Sequence, residues 1–204
     1  MKVNVAITKI LVFRNRGPLR QDEIWNYNDQ LLEVVQEFNY VGVVFNVSGL
    51  FHLNNQYVIG KALRASSMLL HNIFTYEVKP SIVLQLFDTF VGSVLTIGCP
   101  VWGFTKSKDI ERVQMKFCKS VLGVKQTTST TAIYGELGRF PLYINTLTAI
   151  VKYWLKITKA ENIILQTLFK SMIEYDENGM KHWVTNIKQM LNEYGFNYAV
   201  KQHP

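Results

Sequence analysis

Glu37-Phe38-Asn39-Tyr40-Val41-Gly42-Val43-Val44-Phe45-Asn46 is the stretch on which the reading of this chain turns. Aromatic and β-branched side chains at this density specify extended backbone. Residues 38–46 therefore read as a strand, with Gly42 marking a bulge or a place where another backbone comes close. Val47-Ser48-Gly49 then ends the pattern, and the hydrophobic period changes. Upstream, apolar positions alternate or run in short blocks; from residue 51 they recur at helical spacing. This predicts a mainly α protein, α+β overall, with a small antiparallel β element at the N-terminus.

Within that element, Val3, Val5 and Ile7 alternate with polar or small residues, and residues 10–13 run apolar. Asn15-Arg16-Gly17-Pro18 reads as a turn. Trp25 and Tyr27 alternate with asparagines, and Leu31-Leu32 and Val34-Val35 follow an Asn28-Asp29 turn. Three or four strands this close together predict antiparallel hairpins.

In the helical part, Val58, Ile59, Ala62, Leu63, Leu69, Leu70 and Ile73 form one stripe, with Lys61, Arg64 and His71 on the other side. Pro80 opens a second helix. Residues 107–122 form a third, with Asp109 and Glu111 near its positive end and Gly123 as its cap. Residues 127–131 read as a polar linker. Pro141 opens a further helix, residues 162–175 form another, Asn178-Gly179 breaks it, and residues 183–191 form the last. The expected units are residues 1–50, 51–126 and 127–204.

The 204 residues carry a net charge of +7 and a pI near 9.3, a balance that favours an anionic partner. The excess is uneven. Residues 1–20 hold five basic and no acidic side chains, residues 21–40 five acidic and no basic, and residues 61–125 nine basic against four acidic. Cys99 and Cys118 are too few for a disulfide scaffold and have no histidine spacing for zinc. We read them as buried thiols of an intracellular protein. No secretory signal pattern opens the chain. Residues 82–104 are long enough to cross a bilayer, but Gln85, Asp88, Gly92, Gly98 and Pro100 favour a buried core helix.

Enzyme constellations are missing. Two-metal phosphoryl transfer needs paired carboxylates, and the chain has no Asp-Asp dipeptide. Asp22-Glu23 and Asp176-Glu177 sit in polar, turn-like stretches and read as solvated surface. Neither a phosphate-binding glycine loop nor a Gly-x-Ser-x-Gly elbow occurs. His52, His71, His182 and His203 lack metal spacing. No catalytic residue, metal or cofactor is assigned. Arg112, Lys116 and Lys119 lie four and three residues apart and predict one basic ridge; Lys61 and Arg64 predict another. Solvated helix faces are the ordinary alternative. Trp183, Ile187, Met190 and Leu191 read as a packed helical stripe in preference to a stacking platform for bases.

The motif Phe38-x-Tyr40-x-Gly42-x-x-Phe45 resembles the primer grip of reverse transcriptases from non-LTR (LINE-type) retrotransposons. Thr8-Lys9-Ile10-Leu11-Val12-Phe13-Arg14-Asn15 resembles the last palm segment of the same enzymes. Gly98-Cys99-Pro100-Val101-Trp102-Gly103-Phe104, with residues 110–119, resembles their thumb. Tyr134-Gly135-Glu136-Leu137-Gly138-Arg139-Phe140-Pro141-Leu142 resembles the segment next to the thumb, and residues 182–196 resemble the post-thumb ending. The resemblance implies a palm-end β element over 1–50, a thumb-like bundle over 51–126 and a post-thumb region over 127–204. It also implies that the metal-binding aspartates precede residue 1. The family carries a lysine where Ile7 stands, a further departure from an active polymerase. The implied activity is non-specific binding of nucleic-acid duplex, an RNA–DNA hybrid or DNA, through Phe38, Tyr40, Gly42, Lys61, Arg64, Arg112, Lys116 and Lys119, with no membrane and no small-molecule substrate. The alternative is a decayed or recruited helical interaction module.

Overall fold

The computed structural model describes residues 4–14, 17, 23–76 and 78–196. Val3 and, Gly17 apart, the turn expected at residues 15–18 lie outside them. The architecture is mainly α with short strands at the N-terminal end, as expected.

The strands are β1 (Lys9–Ile10), β2 (Asn26–Tyr27), β3 (Gln30–Leu31), β4 (Glu33–Val34), β5 (Glu37–Tyr40) and β6 (Val43–Asn46). Three expectations need correction. The decapeptide 37–46 is a hairpin, not one strand: Phe38 pairs with Phe45 and Tyr40 with Val43. Val41 and Gly42 form its two-residue turn, both at positive φ, +50° and +87°. This is the turn whose twist matches that of the strands it joins. The Asn39 side chain accepts the Gly42 N–H at 3.1 Å and supports it. Second, Val5 and Ile7 lie in a turn instead of a strand. Asn4 takes the Ala6 N–H on its side chain and the Thr8 N–H on its carbonyl, satisfying the backbone locally. Third, β1 pairs with β4 in parallel, so only β2–β3 and β5–β6 are antiparallel hairpins.

The helices are α1 (His52–Tyr76), α2 (Pro80–Phe87), a π-helical turn (Asp88–Gly92), α3 (Ser93–Leu95), α4 (Cys99–Trp102), α5 (Lys108–Val121), α6 (Thr130–Leu137), α7 (Leu142–Thr158), α8 (Ile163–Glu177) and α9 (Trp183–Glu193). Pro80 opens α2 at its first turn, and Ser107 caps α5 by accepting the Ile110 N–H. Residues 82–104 do not form the single helix expected. Thr89, Ser93 and Thr96 each donate a hydroxyl to the carbonyl four residues back, a pattern that bends helices. Gly98 then turns at φ +61°, where an added Cβ would lie 2.3 Å from Val43 Cγ2. The break therefore lets β6 pack against the helical layer.

One core joins the β5–β6 hairpin to α1–α5 through Val43, Val58, Phe87, Val91, Leu95 and Phe117. The Phe87 and Phe117 rings lie 4.6 Å apart. A second core joins α7, α8 and α9 through Ile150, Trp154, Phe169, Val184, Ile187 and Leu191. A small third cluster, Met115, Cys118 and Ile133, seats α6 on α5. α6 thus begins within the stretch read as a linker. Contacts cross the expected 126/127 boundary: Leu142 belongs to the first core, and the Trp183 indole donates to the Pro100 carbonyl at 2.7 Å.

Glu111 makes a three-bond polar joint between α5, α6 and α7. Pro141 precedes α7 and offers no side-chain cap. The Glu111 carboxylate of α5 replaces one, accepting the Leu142 and Tyr143 N–H groups at 3.0 and 2.7 Å and the Tyr134 hydroxyl at 3.2 Å. Those N–H groups are among the four a helix start leaves unpaired, and the positive end of the helix favours the charge. Burial, reinforced by the Glu111 charge, holds the Tyr134 phenol above its ordinary range. Both cysteines are buried, and desolvation raises each thiol to about 11, which keeps it unreactive.

Candidate nucleic-acid interface

Helical spacing places Tyr57, Lys61 and Arg64 of α1 at i, i+4 and i+7, on one face. Lys61 and Arg64 are exposed and Tyr57 is half-buried. The Lys61 ammonium lies 4.4 Å from the centre of the Tyr57 ring, a cation–π distance. Lys61 also lowers the Tyr57 phenol from its usual value, with Asn39 adding to the effect. Asn39 of β5 donates to the Tyr57 hydroxyl at 2.7 Å, which ties the hairpin to this face.

The hairpin presents Phe38 and Tyr40 on the face opposite Asn39, because alternate strand residues point to opposite sides. Both are exposed. Gly42 closes the turn, and a Cβ there would lie 2.6 Å from Ile97 Cδ1, so the turn backbone rests against the chain just before Gly98. A second anchor seats the hairpin, since the buried Asn54 side chain accepts the Val44 N–H at 3.0 Å. The Asn39–Tyr57 bond thus joins the hairpin that carries Phe38, Tyr40 and Gly42 to the helix that carries Lys61 and Arg64, with the two aromatic rings on the other face of the hairpin. Sequence reasoning missed Asn39 and Tyr57, the two residues that join hairpin to helix. Their positions, one in the middle of β5 and one a turn before Lys61, were the only signal.

The second ridge is smaller than expected. Lys116 is exposed, and Arg112 is exposed but pairs with Asp109 at 2.7 Å. Lys119 must be withdrawn from the solvent-facing set. It is 7% exposed, and its ammonium donates to the Gln126 carbonyl at 2.6 Å. The chain after α5 folds back over it and uses it to hold the loop leading to α6. Among the described residues no hydrogen bond, ion pair or ring contact joins Arg112 or Lys116 to the Tyr57–Lys61–Arg64 group.

Among the described residues no three or more His, Cys, Asp or Glu side chains cluster as metal ligands, and no helix is long and apolar enough to cross a membrane. Comparison with protein-family models, with curated proteins and with solved structures finds no match.

Proposed function

We propose that the chain is the C-terminal part of an RNA-directed DNA polymerase of the non-LTR retrotransposon type: palm end with primer grip, thumb and post-thumb helices. In this reading it lacks the catalytic carboxylates and retains non-specific binding of nucleic-acid duplex. The observation that supports it is the union of an exposed two-aromatic hairpin with two solvent-facing cations on the helix it is bonded to. Lys61 and Arg64 suit phosphate oxygens, which confer affinity without sequence information. Phe38 and Tyr40, exposed on the hairpin bonded to that helix, suit a sugar or a terminal base, with stacking as the attractive force. The test is fluorescence anisotropy with a labelled RNA–DNA hybrid. Replacing Lys61 and Arg64 by Gln should weaken binding by at least about tenfold for every sequence tried. Unchanged affinity would exclude this face.

The helical interaction module is the second reading, and one observation favours it. The β element exposes Ile24, Leu31, Tyr40, Val41 and Leu50, apolar side chains that a partner surface would cover. A chain that associates through this element and has no affinity for the hybrid would fit that reading instead.

A further inference from the structure

The first two turns of α8 stand clear of the protein. Residues 161–168 are all exposed, and they include Ile163 at 77%, Ile164 at 70%, Leu165 and Leu168. Asn162 caps this helix start, accepting the Ile164 and Leu165 N–H groups at 2.9 and 3.2 Å, so the projecting turns have defined helical form. Only farther along does Phe169 dock α8 onto α7 and α9. Four large aliphatic side chains on two turns form an apolar knob.

The same region holds a matching recess. Ile144, Leu147, Val151 and Leu155 make a stripe along α7, and Met190 of α9 with Tyr194 just after it form the opposite wall. Together they line an almost wholly apolar groove of about 590 Å³. The stripe from 144 to 155 runs for about 16 Å at the helical rise, and the knob from 163 to 168 for about 8 Å, so the groove has length for it. Lys152 is the one charged side chain on the groove and has no ion-pair partner among the described residues; Glu161, also unpaired, precedes the knob. The charges are opposite in sign and placed at the edge of each apolar surface.

We infer that the α8 knob of one copy inserts into the α7–α9 groove of a second copy. This is helix-in-groove recognition, with Ile164 and Leu168 as i and i+4 anchors. The contact is independent of the nucleic-acid face, which lies on α1 and β5. Two helical turns in one groove make a small contact, so association should be weak, with a dissociation constant on the order of 10–100 μM.

Sedimentation over a range of concentrations tests this. The parent chain should show a weight-average mass rising above 23.6 kDa with concentration. A knob variant (Ile164→Glu with Leu168→Glu) and a groove variant (Ile144→Glu with Thr148→Glu) change exposed positions, so both should fold and each should lose association. Mixed, they retain one intact knob and one intact groove. The mixture should form a 1:1 complex of about twice the chain mass and nothing larger. A parent that stays monomeric to about 200 μM, above the expected dissociation constant, overturns the proposal. So does either variant associating like the parent, or a mixture that stays monomeric.

Discussion

Val41 is the position where local chemistry and fold disagree most. A β-branched side chain at φ +50° is an outlier, yet the turn requires it, and the residue is 77% exposed, so packing offers little compensation. Val41→Asn should therefore stabilise the protein by about 1 kcal/mol, read as a higher denaturant midpoint at unchanged slope. Gly42→Ala should act in the opposite direction, through both its positive φ and the contact with Ile97. An Asn variant less stable than the parent would mean that Val41 makes a contact worth more than its strain. The valine also explains why the hairpin was not legible: an Asn-Gly pair signals such a turn, whereas Val-Gly inside an apolar run reads as continuous strand. Lys119 was illegible for a different reason. Spacing along α5 places it beside Arg112 and Lys116, but its burial depends on a loop that returns seven residues later. Lys119→Gln should lower stability by about 1–3 kcal/mol, since the Gln126 carbonyl loses its charged donor, while leaving hybrid affinity unchanged. The two readouts separate a joint in the fold from a phosphate contact.

At the scale of elements, legibility followed how local the determinants were. Pro80, Ser107 with Gly123, and Asn178-Gly179 mark helix ends by chemistry within a few residues, and α2, α5 and α8 start or stop there. The parallel pairing of β1 with β4, and α6 inside a threonine-rich stretch, depend on partners far along the chain and left no local trace. The α8–α9 joint yields a pH prediction. Asp176 accepts the Lys188 ammonium at 2.8 Å and the Thr185 hydroxyl, and these bonds, Lys188 first, lower its carboxyl below the usual value. A lowered folded-state value means that the stabilisation is fully present above the unfolded value near pH 4 and is lost as pH falls through the lower folded value. Asp176→Asn should remove this part of the acid dependence and lower stability at pH 7 by about 1 kcal/mol, discounted because Lys188 is partly exposed. Parallel pH–stability curves for parent and variant would show that the pair contributes nothing. Hydrogen exchange should also be faster in β1–β4, which are two residues each and contain no buried residue, than in α5, whose Ile110, Val113 and Phe117 are buried.

For the whole molecule, the decisive quantity is how many phosphates the fold can reach. A net charge of +7 says that an anion is welcome, not how many contacts form. The structure reduces the candidate cations to Lys61, Arg64, Lys116 and an Arg112 already paired with Asp109, on α1 and α5, which pack together in the first core. Two to four neutralised phosphates give a slope of log K against log salt of about −2 to −3.5, and a dissociation constant on the order of micromolar or weaker near physiological salt. Anisotropy with one labelled hybrid at several salt concentrations measures this slope. Lys61→Gln with Arg64→Gln should make it shallower by roughly 2, and Lys116→Gln by about 1 more if α5 lies along the same duplex. Additive losses would place both helices on one nucleic acid. A Lys116→Gln slope equal to the parent's would confine binding to the α1–hairpin face, which then holds two phosphates and a pair of aromatic rings. That is enough to hold the end of a primer but too little to track a duplex, and the thumb-like part of the proposed function would fail while the primer-grip part stood.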